Sequence, residues 1–175
     1  MLDNARKYTA EVKAKFMDVW YDEKYKYYFC DWHNAHEMDD NDWTHMYFVS
    51  MDKDGNVLGY ISYSIERVSG YAHRFGVINF SDDKITFGMD LRQVIDDIFC
   101  KFNLQRMEFD VVCGNPVEKS YDKMVAKHGG RVIGVKRRAT TLMDNKLYDS
   151  KSYEILREDY LKSKRSMCNE SKTNR

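Results

Sequence analysis

The sequence lacks a net charge, any paired cysteine spacing and any apolar run long enough to span a bilayer. Lysine plus arginine balances aspartate plus glutamate at 28 each, so no global field draws the chain to nucleic acid or to an acidic membrane, and a specific site must supply the function. The four cysteines, Cys30, Cys100, Cys113 and Cys168, include no C-x-x-C pair, and three lie in or beside apolar segments; they are expected as reduced, buried thiols of an intracellular protein. The opening residues, MLDNARKYTAEVK, are charged throughout and lack the apolar core of a signal peptide, which gives a cytoplasmic expectation with no membrane association. No metal is expected either. His33, His36 and Glu37, beside Asp39 and Asp40, form an H-x-x-H on an acidic stretch, for which a solvated loop is the better reading. Asp52, Asp54 and Gly55 start as a calcium loop does, but Tyr63 holds the twelfth position, where a bidentate Glu is required. The one basic run, Lys136, Arg137 and Arg138, reads as a strand-end or solvent-exposed patch.

What the chain does have is concentrated in residues 106–134, RMEFDVVCGNPVEKSYDKMVAKHGGRVIG. An apolar run over 107–112 suits a buried strand. Asn115 then suits a helix N-cap, Pro116 the first helical position, and Glu118 the third, from which its carboxylate bonds back to the cap. Val117, Tyr121, Met124 and Val125 make one apolar stripe, Gly129 and Gly130 supply a left-handed stop, and a further strand follows over 131–135. The β-α-β step is expected to be a right-handed parallel crossover.

Before this stretch, Tyr8, Val12, Phe16, Val19 and Trp20 fall on one face of a helix over 6–21. Residues 25–32, YKYYFCDW, read either as a second short helix or as the wall of a pocket, and 34–42 as an acidic loop. Strands are expected over 45–51, 57–68 and 71–80, the second with Ile61, Tyr63 and Ile65 on one face, the third with Gly76 as a bulge or a close backbone approach. Leu91, Val94, Ile95, Ile98, Phe99 and Phe102 hold the longest helical stripe. Strands over 137–143 and 147–156 and a short helix over 157–163 close the chain. The expected fold class is α/β (α+β): one mixed, mostly antiparallel sheet with helices on both faces and a central parallel β-α-β crossover. One domain is expected over 1–162, with a polar, disordered tail over 163–175.

This order, with Asn115, Tyr121, Gly129 and Gly130 on the helix after the fifth family strand and LMDNKLYDSKSYEI at the close, resembles the GNAT-type acyltransferases. The resemblance covers roughly residues 6–160. It implies transfer of an acetyl group from acetyl coenzyme A to a primary amine, on a small molecule or a peptide, without nucleic acid, membrane or metal; monomer and homodimer stay open. It implies parted central strands, here 71–80 and 107–113, that hold the pantetheine arm, so that Ile78, Asn79 and Phe80 are expected at the cofactor, with Asn115 both capping its helix and bonding the arm. The family's phosphate loop, Q/R-x-x-G-x-G/A, falls on Lys84, Phe87, Gly88 and Met89 and their neighbours. Here it keeps one glycine, has no arginine at the expected spacing, and stands among Asp82, Asp83 and Asp90. The usual first strand is missing or very short.

For chemistry, Tyr121 is the candidate acid, with a helix-stripe residue as the plain alternative, and Glu66 or His73 is the candidate base, with a solvated or structural polar role as the alternative to each. Residues 25–42 fall where the family places its acceptor wall, and Asp39 and Asp40 would suit a cationic acceptor. A GNAT-like fold that has lost catalysis and serves as a binding module is the rival reading.

Overall fold

The structure, a computed structural model, describes the backbone of residues 1–34 and 38–173 and the side chains of 1–28 and 38–167. The His33, His36 and Glu37 cluster therefore lies outside the described residues. Seven strands form one sheet in the order β1-β2-β3-β4-β5-β7-β6: β1 (Leu2–Asn4), β2 (His45–Met51), β3 (Val57–Glu66), β4 (Tyr71–Asn79), β5 (Arg106–Val112), β6 (Arg131–Thr141) and β7 (Leu147–Leu156). The very short first strand is present as three residues paired to β2. Every directly paired neighbour is antiparallel except β4 and β5, which are parallel and joined through α2 (Lys84–Asp96) and the π-turn Asp97–Lys101. The fold class expected from the sequence is the one observed. The β5-α3-β6 step differs in one respect: β7 lies between its two strands and pairs antiparallel with both.

Helices cover both faces. Ile61, Tyr63 and Ile65 point together, as their alternation predicts, into a core with Val94, Ile98 and Phe99 after β4, Val125 of α3 (Glu118–Lys127) and Tyr160 of α4 (Arg157–Thr173). On the other face Val12 and Phe16 of α1 (Thr9–Val19) pack with Val49, Tyr60 and Ile78. The aromatic segment after α1 is a 3₁₀ helix, Glu23–Asn34.

Four expectations are corrected. The strands expected over 131–135 and 137–143 are one strand, β6, broken by an irregularity between Lys136 and Thr140 where Arg138 takes a left-handed φ of 51°. The closing helix expected over 157–163 runs through Thr173: it has no Gly or Pro to stop it, and Tyr160 in its first turn packs on Phe99 with ring centroids 4.6 Å apart. Cys100 is exposed and Cys113 half-buried rather than buried, Cys100 because it lies off the apolar stripe of its helix; the Cys30 and Cys168 side chains lie outside the described residues. Finally, residues 84–89 form no loop but the first turns of α2.

Candidate active site

A bulge creates the site. Ser62 of β3 pairs with Gly76 of β4 and Ser64 with His73, so Tyr63 alone stands opposite both Arg74 and Phe75, and Arg74 takes a φ of 53°. A bulge bends its strand and adds twist. β4 and β5 pair at Tyr71↔Arg106 and Ala72↔Met107 and then part. Gly76, next along, is a close approach: a Cβ there would meet Ser62 Oγ at 2.7 Å.

The parting opens a cleft of about 1080 Å³ that joins the two faces of the sheet. Toward α2 and α3 it is lined by Ile95, Phe109, Tyr121 and Met124, and toward the 3₁₀ segment by Tyr27, Tyr28, Tyr47, Tyr60, Asp39 and Glu108. Backbone edges of β4 and β5 that would continue the ladder face each other across this gap. An extended arm carrying amides fits such a slot, because it would satisfy these groups.

Of the sequence-predicted site residues, the cleft brings together Tyr121, His73, Ile78 and Asn115. Burial, more than the neighbouring Arg74, holds His73 below the ordinary imidazole value despite Glu108 and Glu66 nearby, so it is neutral at pH 7. It lies in a row across three strands, His45↔Ser64↔His73, and its ring lies 4.9 Å from that of Tyr71. Burial pushes the Tyr121 phenol well up, which keeps it protonated; its ring meets Phe109 edge-on at 5.2 Å, and its hydroxyl has no partner among the described residues. Asn115 is 7% exposed, and its Oδ1 accepts from Val117 N at 3.1 Å. The helix proper starts later than an Asn115 cap implies, at Glu118, because Asn115 and Val117 carbonyls close tighter turns first; Glu118 reaches back to Gly114 N at 3.2 Å. Its far end is as expected. Gly129 takes a φ of 71° and Gly130 N bonds Val125 O at 2.9 Å, a left-handed stop, and a Cβ on Gly130 would lie 2.4 Å from Glu154 O.

Glu66 is not in the lining. It sits at the tied end of the cleft, opposite Tyr71, and accepts from Val68 N at 2.9 Å. Asn79 and Phe80 end β4 and start the link to α2, while Lys84, Gly88 and Met89 are exposed on the first turns of that helix and Phe87 is buried against Gly59. The carboxylates in the cleft's lining are internally matched: Asp39 meets Arg6 and His45, Asp110 meets Lys136 at 3.1 Å, and Glu108 meets Arg106 at 3.3 Å. Sequence reasoning missed His45, Ser64 and Tyr47; the signal available was their period-two spacing on β2 and β3.

No protein-family model matches the chain, and no curated protein matches it. Solved structures do. The spermidine/spermine N-acetyltransferase SpeG of Vibrio cholerae, in complex with manganese ions, matches with a TM-score of 0.60 and 20% identity over 70% of this chain and 71% of its own. A chimera of that enzyme with hSSAT matches with a TM-score of 0.58 and 20% identity over 69% and 73%, and a point mutant with 0.58 and 16% over 87% and 77%. At these identities the likeness is one of fold: the chain has the fold of GNAT-type N-acetyltransferases.

Proposed function

We propose that the protein transfers an acyl group, acetyl in the first instance, from a coenzyme A thioester to a primary amine. One observation carries this: the slot opened between β4 and β5 holds a neutral imidazole, His73, and a protonated phenol, Tyr121, in one lining. The thioester supplies the activated carbonyl. The facing strand edges and Asn115 orient it. An amine with an ordinary pKa near ~10.4 arrives as an ammonium, and His73 takes its proton. Tyr121 gives a proton to the departing sulfur. Fold neighbours that acetylate spermidine and spermine support a small-molecule amine as acceptor. The lining carboxylates Asp39, Glu108 and Asp110 already have cations, so the cleft's tyrosines would select it. Unpaired Cys100 and Cys113 thiols fit a cytoplasmic setting.

One observation favours the rival, a binding module without catalysis: the link from β4 to α2 offers little to a phosphate. Incubation of the purified protein with acetyl coenzyme A and a panel of primary amines (spermidine, spermine, short diamines, peptides with free N-termini) decides between them. Thiol release with an acetylated product is expected. A folded protein that neither binds the thioester up to millimolar concentration nor releases thiol contradicts the acyltransferase reading.

A further inference from the structure

Resting on the acyltransferase reading, we infer that this chain recognises its donor by the pantetheine arm alone, and that the nucleotide half of coenzyme A contributes nothing. Asp82 N apart, the backbone donors that would hold a diphosphate at the mouth of the cleft are already engaged. Phe80 N bonds Leu58 O at 2.8 Å, Ser81 N bonds Asn79 Oδ1 at 2.9 Å, Asp83 N bonds Ser81 Oγ at 3.2 Å and Lys84 N bonds Asp82 O at 2.9 Å. Ile85 N and Thr86 N both donate to Asp83 Oδ1, at 3.1 and 2.9 Å, and Thr86 Oγ1 to Asp83 Oδ2 at 2.7 Å. A carboxylate of the chain thus occupies the helix end where an anion would bind, because a helix N-terminus attracts whichever negative group is nearest. The local charge points the same way: Asp82 is exposed, its cation Lys24 is 3.2 Å away, and Lys84 is the one basic residue between 79 and 90.

The second helix end at the mouth is closed in the same manner. Gly114 N donates to Glu118 Oε2 at 3.2 Å, Val117 N to Asn115 Oδ1 at 3.1 Å and Glu118 N to Asn115 O at 2.9 Å. The slot behind both ends is the opposite case, with β4 and β5 unpaired to each other beyond Ala72↔Met107. Its chemistry suits two amides on a flexible thiol arm and nothing phosphorylated. The substrate class is therefore an acyl-pantetheine thioester, free or carried on the prosthetic arm of a carrier protein. In the transfer, the ammonium first loses one proton, which leaves through His73 to solvent; the amine nitrogen then bonds to the acyl carbon, the carbon–sulfur bond breaks, and the second proton lost from nitrogen is matched by the one the thiolate gains.

The test compares acetyl coenzyme A, S-acetylpantetheine and an acetylated carrier protein on the full chain, by kcat/KM with a fixed amine and, independently of turnover, by calorimetric Kd for the corresponding thiols. Acetyl coenzyme A and S-acetylpantetheine are expected to agree within about threefold in both readouts. The carrier protein tells whether the arm is taken free or tethered. An advantage of about 30-fold or more for acetyl coenzyme A overturns the inference and leaves the acyltransferase reading standing; binding of no donor overturns both. Asp83→Ser supplies a second arm, since serine keeps the cap and removes the charge: coenzyme A affinity is expected to rise about threefold or more over that of pantetheine, at an unchanged Tm. Equal affinities in this variant would show that the Asp83 carboxylate is not what excludes the nucleotide.

Discussion

The slot between β4 and β5 and the link that follows β4 are adjacent, yet they differ in what they leave unsatisfied. In the slot, the bulge at Arg74 and Phe75 turns β4 away from β5 and leaves strand edges without their ladder partners. In the link, Asn79, Ser81 and Asp83 side chains take up the backbone donors of Ser81, Asp83, Ile85 and Thr86, and the Asp82 carbonyl that of Lys84. A region built to bind keeps its polar groups in reserve, whereas a region built to join two elements closes on itself. Under the proposed function, ligand recognition belongs to the slot.

Breaking the slot should have the largest effect. His73→Ala removes the proposed base, and kcat/KM at pH 7 is expected to fall about 10² to 10⁴-fold in steady-state assays, with calorimetric donor affinity unchanged. The same residue sets the pH profile. Burial disfavours the imidazolium, so its pKa is lowered and the base is already neutral at pH 7; kcat/KM should rise through a pKa below the ordinary value of about 6.5 and then level off. Because Tyr121 is shifted upward, no alkaline loss is expected below about pH 10. A profile that starts to rise only above pH 8 would remove His73 from the base's role.

Tyr121→Phe keeps the ring against Phe109 and loses only the hydroxyl, so kcat should drop about 10 to 100-fold while Tm stays level, since that hydroxyl has no protein partner among the described residues. On the other side of the comparison, Asp83→Ala takes the cap from α2 without touching the slot. It should cost about 1 kcal/mol in urea unfolding, with kcat/KM for S-acetylpantetheine little changed. The smallest effect belongs to Glu66→Gln. Glu66 lies at the tied end, engaged with Val68 N, and activity is expected to stay within about twofold; a hundredfold loss would make it the base.

The sequence made the fold readable where hydrophobic period and punctuation coincide. The stripe of Leu91, Val94, Ile95 and Ile98 marked a helix whose start lies earlier, at Lys84, and Gly129 and Gly130 marked where the helix after Asn115 and Pro116 ends. The bulge was less legible. Its left-handed residue is an arginine, and the nearest glycine, Gly76, lies beyond it and serves a different end. The site divides along the same line. Tyr121, His73, Ile78 and Asn115 sit on elements whose order alone brings them to the gap, while the row through His45 and Ser64 depends on the register of β2 against β3, and the tyrosines of the 3₁₀ segment on how it folds back. Nor does sequence show that Asp83 turns inward onto its own helix; three aspartates near Gly88 signal only negative charge.

A crystal structure of the protein with an unreactive acetyl coenzyme A analogue addresses the central claim most directly. The account predicts the pantetheine arm between residues 76–79 and 109–112, its amides bonded to the two strand edges, and the nucleotide making no contact with residues 80–86. An analogue bound elsewhere, or a diphosphate seated on Ile85 N and Thr86 N with Asp83 displaced, would contradict it.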